Sequence, residues 1–267
     1  MAHRIPLIIG NWKMHKTVAE AVSYLMAFKP HLAHLTGCEV GIAPAFVALA
    51  AMQAAVQETA LQIFAQNVAA EGPFGAFTGE VSAEMLQAVG CHGVIIGHSE
   101  RRRYYGETDA VVAAKVRRAL AASLLPVACV GETLSEREAG KASEVVERQL
   151  LAIADALTDA DAHRIVVAYE PVWAIGTGQA ASPEQAQGMH QRVRAVWEAC
   201  FGAAAAEALR ILYGGSVTAD NIAGFSSQPD VDGALVGGAS LSPDGFAELI
   251  RRFCQAATKG DGVKLGQ

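Results

Sequence analysis

The chain has 267 residues, 52% of them hydrophobic, and a formal net charge of −6. That is apolar sequence enough for a large core. The acidic balance, with no basic stripe beyond Arg101-Arg102-Arg103, argues against nucleic acid as a partner, and no apolar stretch approaches the ~18 residues that cross a bilayer.

The first apolar run is Leu7–Gly10, inside the opening MAHRIPLIIGNWK. It is too short for the core of a signal peptide and no small-residue cleavage site follows, so it reads as the first strand of a cytoplasmic protein. Similar β-type runs recur at Val40–Ala43, Leu61–Ala65, Val94–Ile96, Pro126–Val130, Ile165–Ala168, Ile211–Tyr213 and Ala234–Val236. Segments of helical character lie between them, such as Asp109–Leu124 and Glu184–Cys200. Eight such alternations in about 250 residues predict an α/β fold of the (β/α)8 type, a parallel eight-stranded barrel surrounded by helices. It is read as a single domain over 1–257, with a polar, glycine-rich tail at 258–267 that is disordered. An open doubly wound sheet would normally carry its glycine fingerprint after the first strand, where this chain has Asn11-Trp12-Lys13. Five cysteines, none in a CxxC pair, argue against a disulfide framework or a zinc site; Cys129 closes a strand and reads as a buried thiol.

The connection 67–80 is long for a loop between strand and helix. Its glycines suit a mobile surface loop, but Phe74 and Phe77 suggest that it packs on something. A second glycine-rich stretch, Gly176 to Ala181, fits the dinucleotide pattern G-x-G-x-x-A. It does not directly follow a strand, and the next helix starts later, at Ser182 (N-cap), Pro183 and Gln185 (capping box), so a nucleotide site is not expected there.

In a barrel of this kind the chemistry sits at the C-terminal ends of the strands. Those ends carry Asn11 and Lys13 on the first, His98 on the fourth, Glu170 on the sixth, Gly214-Gly215-Ser216 on the seventh and Gly237-Gly238 on the eighth. Glu170 stands between a buried run and Pro171, beside Val172, Trp173 and Ile175, a poor place for a solvated acid. Such surroundings raise a carboxyl pKa toward the range of a base at neutral pH. His98 precedes a helix start at Ser99, which favours a neutral imidazole. Lys13 taken alone reads more readily as a surface lysine, as most lysines are. Turns with exposed amides after strands seven and eight suit a phosphate. These are the parts for moving a proton next to the carbonyl of a small phosphorylated molecule.

Five segments carry a resemblance: GNWKM at 10–14, HSERR at 98–102, AYEPVWAIGTG at 168–178, YGGSV at 213–217 and VGGASL at 236–241. In this order, over about Leu7 to Phe253, the chain resembles the triosephosphate isomerase family, the source of the name TIM barrel. The resemblance implies interconversion of dihydroxyacetone phosphate and D-glyceraldehyde 3-phosphate, a step of glycolysis and gluconeogenesis, with no metal or cofactor. It implies that Glu170 is the base and His98 the electrophile, that Lys13 stabilises an enediolate, and that Asn11 orients substrate oxygens. It implies Glu100 behind Lys13. Gly176, Ser216, Gly237 and Gly238 would hold the phosphate through backbone amides, under a lid at about 171–178. It further implies a homodimer in which loop 67–80 enters the neighbouring subunit, with Thr78 approaching the other site. Two alternatives stay open: another phosphate-binding barrel enzyme, such as a different sugar-phosphate isomerase or a lyase, and a non-catalytic phosphate-binding module.

Overall fold

Each of the eight apolar runs is a strand, displaced from its expected ends by one residue at most. The computed structural model describes residues 4–175 and 180–262. The strands are β1 (Leu7–Asn11), β2 (Glu39–Ala43), β3 (Gln62–Ala65), β4 (Gly93–Ile96), β5 (Leu125–Val130), β6 (Val166–Tyr169), β7 (Arg210–Tyr213) and β8 (Gly233–Val236). All pairings are parallel, in chain order, and β1 pairs with both β2 and β8, so the sheet closes into a barrel.

Closure explains why these strands read as continuous apolar runs. Both faces are buried, one inside the barrel and one under the helices. Along β1, Leu7 and Ile9 belong to the inner cluster and Ile8 to the outer one, the alternation of a pleated strand. The inner core centres on Phe64. A β-carbon on Gly41 would lie 2.5 Å from its ring, and one on Gly93 2.6 Å. The ring therefore occupies the space that two missing side chains leave, and Phe64→Ala would cost ~3–5 kcal/mol.

The helix after β6 starts as its sequence predicts. Ser182 Oγ accepts the Gln185 amide at 3.2 Å, Gln185 Oε1 accepts the Ser182 amide at 2.9 Å, and Pro183 is the first helical residue. It continues beyond Cys200 to Ala208, but Gly202 (φ 83°, ψ 170°) breaks it into two pieces. The helix expected at Asp109–Leu124 stops at Ala121, because Ser123 adopts a positive φ of 59° and turns the chain. The last helix is Pro243–Gly262, so the expected tail at 258–267 begins inside a helix; 263–267 lie outside the described residues. Among the described residues no helix is long and apolar enough to cross a membrane.

Candidate active site

At the C-terminal ends of the strands the barrel opens into a cavity of about 470 Å³. Asn11, Lys13, His98, Glu170, Ser216, Gly237 and Gly238 all line it. Glu100 joins through Lys13, whose Nζ donates to Glu100 Oε1 at 2.7 Å. Gly176 and the rest of 176–179, including the C-terminal part of the expected lid, lie outside the described residues. A larger cleft of about 730 Å³ opens at the opposite end, among Glu39, Gln62, Leu125 and Arg210. There the Arg210 guanidinium is already bound to Glu39 at 2.7 Å.

Glu170 directly follows β6, and its amide still donates to the Val130 carbonyl at 2.8 Å. Its carboxylate is buried and doubly held: Oε2 accepts the Ser99 amide at 2.8 Å, and Oε1 lies 3.0 Å from His98 Nε2. Two glycines make room for it. A β-carbon on Gly131 would lie 1.8 Å from the Glu170 carbonyl oxygen, and one on Gly214 would lie 2.9 Å from Glu170 Cγ.

These contacts reverse the expected pKa of Glu170. Burial pushes its carboxyl up, but His98, the Ser99 amide and Lys13 together outweigh burial and hold it below the ordinary carboxylate value. His98 differs from expectation in the same way. Burial presses the imidazole down, yet the Glu170 carboxylate, helped by Glu100, lifts it above its ordinary value. The geometry nevertheless fixes a tautomer. Nδ1 accepts the Glu100 amide at 3.2 Å, which only an unprotonated nitrogen does, so the hydrogen sits on Nε2 and is donated to Glu170. The amide comes from the first turn of the helix Ser99–Tyr105, for which His98 is the N-cap. Arg102 steadies that turn by donating from Nε to the Gly97 carbonyl at 3.0 Å and from Nη1 to Asp109.

Lys13 has a positive φ of 52°, rare for a residue with a β-carbon. Two bonds hold it there. Its amide donates to Asn11 Oδ1 at 3.1 Å, and its carbonyl accepts Gln66 Nε2 at 2.8 Å. Gln66 Nε2 also donates to the Ala43 carbonyl at 2.8 Å, so β1 and β2 are pinned together beside the lysine. The lysine stem passes near the glycine turn: a β-carbon on Gly237 would be 3.7 Å from Lys13 Cε. Gly238 opens the short turn Gly238–Ser240, and Ser240 Oγ donates to the Gly237 carbonyl at 2.7 Å.

Below the segment Pro171–Ile175 lies Glu132, fully buried. Its Oε1 accepts Trp173 Nε1 at 2.8 Å and Arg137 Nη1 at 3.1 Å, and the Tyr169 hydroxyl donates to the carboxylate at 3.1 Å. The Val172 amide donates to the Glu132 carbonyl. Glu132 thus ties the first part of the expected lid to the barrel.

Gln66, Glu132 and Gly131 are absent from the residues that sequence singled out for roles; Gly214 entered only as part of a phosphate turn and Ser99 only as a helix start, neither as a partner of Glu170. The available signal was position: Gln66, Gly131 and Gly214 directly follow β3, β5 and β7. Among the described residues no three His, Cys, Asp or Glu side chains meet as a metal site requires. Loop 67–80 is described throughout, and in the single chain Phe74 and Phe77 are both exposed.

Chemically, the cavity brings a carboxylate, an imidazole N–H and an ammonium together, with two glycine turns beside them. Residues 6–253 match the family model described as triosephosphate isomerase. A protein of Symbiobacterium thermophilum named triosephosphate isomerase is 51% identical over 96% of this chain and 100% of its own length. Its namesake in Thiobacillus denitrificans is 52% identical over the same shares. That of Chloroflexus aurantiacus is 49% identical over 92% of this chain and 98% of its own.

Proposed function

Since the chain belongs to the triosephosphate isomerase family and is an isomerase of triose phosphate, we propose how its residues divide that reaction. Glu170 removes a proton from the carbon beside the carbonyl of dihydroxyacetone phosphate and returns it to the neighbouring carbon, giving D-glyceraldehyde 3-phosphate. His98 Nε2–H donates to the carbonyl oxygen and shuttles the proton between the two oxygens. Lys13 balances the enediolate charge, Asn11 orients the substrate oxygens, and Glu100 positions Lys13. The amides of Gly176, Ser216, Gly237 and Gly238 hold the phosphate, and a lid at about 171–178 excludes water while the intermediate exists. Every role falls to a protein group, so this reading calls on no metal or cofactor.

The observation that carries the proposal is the convergence of Glu170, His98 and Lys13 on one cavity beside the glycine turns. It also gives the lowered pKa of Glu170 a meaning. To reach a substrate carbon the carboxylate must leave the Ser99 amide and His98. That removes two of the influences that hold its pKa down, and burial then raises it toward the range useful to a base.

The exposed Phe74 and Phe77 support a homodimer in which loop 67–80 packs on a second subunit, with Thr78 near the other site. A cytoplasmic location and a single domain complete the reading.

The test is a coupled assay of glyceraldehyde 3-phosphate isomerisation, comparing the unchanged chain with Glu170→Gln and Glu170→Asp. Loss of the base should cost at least ~10²–10⁴-fold in kcat. Shortening the side chain by one C–C bond should cost ~10²-fold, with folding intact in both. Turnover by Glu170→Asp at the original rate would remove Glu170 from the role of base. Sedimentation of the unchanged chain as a monomer would remove the dimer.

A further inference from the structure

Cys38 and Cys254 are thiols whose sulfurs lie 2.8 Å apart, although 216 positions separate them in the chain. Cys38 follows the left-handed turn at Gly37 (φ 82°) and leads into β2 at the N-terminal end of the barrel. Cys254 lies on the last helix, beside buried Phe253. The pair continues the seam where the first helix, Val18–Leu32, meets the last. On that seam Phe28 stacks on Phe246 with ring centroids 5.5 Å apart, and His31 bonds Asp244 at 2.9 Å. Neither cysteine lines the catalytic cavity.

Both thiols are partly exposed, and each opens on its own cleft. Cys38 lines one of about 320 Å³ with Lys29 and Glu58. Cys254 lines one of about 270 Å³ with His34 and Arg251. A small reagent thus has two approaches. The sulfurs need to close by only ~0.8 Å to reach bonding distance.

We propose that Cys38 and Cys254 form a reversible disulfide, made by exchange with a low-molecular-weight disulfide, that staples the last helix to the start of β2.

The exchange balances. The Cys254 thiolate attacks one sulfur of the small disulfide R–S–S–R, that S–S bond breaks, and one RS⁻ leaves. The Cys38 sulfur then attacks the Cys254 sulfur of the mixed disulfide, and the second RS⁻ leaves. The two protein thiols are oxidised by two electrons, R–S–S–R is reduced to two RSH, and the protein's two protons end on the two leaving thiolates. The hydrogen bond between the sulfurs lets one ionise while the other keeps its proton, so the pair supplies one thiolate to attack and one thiol to resolve.

The staple closes a loop containing nearly the whole barrel. It restricts the unfolded chain and keeps the last helix from peeling off first. Its effect falls on unfolding, since neither residue touches the cavity where turnover occurs.

The experiment equilibrates the full chain with oxidised glutathione, quenches by alkylation and maps the peptides after denaturation. The expected result is a Cys38–Cys254 cross-linked peptide, with Cys91, Cys129 and Cys200 still alkylated. The thermal midpoint should rise by roughly 5–15 °C and return when dithiothreitol is added, with kcat and KM unchanged. Cys38→Ser and Cys254→Ser should each abolish the rise. Alkylation of all five thiols after oxidation would overturn the proposal. So would a Cys254–glutathione adduct that persists without cross-linking, or an equal rise in midpoint in Cys38→Ser.

Discussion

A β-carbon on Gly214 would lie 2.9 Å from Cγ of Glu170. The side chain proposed as base has its first methylenes seated where a residue on the next strand end has none. Gly214 donates its amide to the Tyr169 carbonyl at 2.8 Å, so its backbone cannot easily withdraw. Gly214→Ala should shift the carboxylate by a few tenths of an ångström and lower kcat by ~10-fold, since about 1 Å of misplacement costs ~10²-fold. The thermal midpoint should fall only slightly. Steady-state kinetics beside a melting curve checks this; unchanged kcat would mean that Gly214 does not position Glu170.

The same carboxylate controls His98. With Glu170 ionised, its charge lifts the imidazole pKa against burial. In Glu170→Gln that charge is gone, burial, the largest single influence already, is opposed chiefly by Glu100, and the His98 pKa should drop. Nitrogen-15 NMR across pH 4–9 reads both the pKa and the tautomer. The neutral form should carry its hydrogen on Nε2, because the Glu100 amide occupies Nδ1. A His98 pKa that stays up in the variant would show that Glu170 is not its cause.

Glu132 ties Tyr169, Trp173 and Arg137 together from a fully buried position. Glu132→Ala should cost about 2–4 kcal/mol of stability, because the Tyr169 hydroxyl loses its buried acceptor and Arg137 its partner. It should also raise KM, as Trp173 loses its carboxylate anchor while the backbone bond from the Val172 amide to residue 132 is kept. Denaturant melts and substrate titrations measure the two effects separately. A stable variant with unaltered KM would leave Glu132 without the anchoring role.

His190 gives the fold a sensitivity to acid. It is completely buried on the helix after β6, its Nδ1 is 2.8 Å from the Asp230 carbonyl, and burial lowers its pKa to about 4. The unfolded chain, with an ordinary value near 6.5, binds the proton more readily between those two pH values. Stability from this group is therefore complete above about pH 6.5 and is lost as the pH falls toward 4, by roughly 3 kcal/mol in all. His190→Asn keeps a donor near the Nδ1 position but cannot titrate. Its unfolding free energy should lack that part of the acid slope, and identical slopes in the two proteins would contradict the assignment.

Among individual residues, legibility followed how local the cause is. The strands could be read because a strand buried on both faces must be apolar along its whole length. The helix start at Ser182 could be read because a capping box closes within four residues. Gly202 passed unnoticed because a single glycine inside a helical pattern does not announce a positive φ. The pKa directions of Glu170 and His98 were misread because the groups that decide them come from β4 and β6, separated by β5. Burial is the largest single influence on each, but the charges and hydrogen bonds brought from other strand ends together outweigh it.

Taken by itself, the sequence determined the eight-fold alternation, the barrel it closes into and the chemistry available at the strand ends. It did so because burial pattern and turn chemistry are written residue by residue. Only the tertiary structure decided that Gln66 holds Lys13, that Gly214 seats Glu170, that Glu132 anchors Trp173 and that Cys38 meets Cys254. Those pairings depend on how segments from 41 to 216 residues apart are brought together when the sheet closes. Closure is a property of the whole barrel, and no short stretch of the chain encodes it.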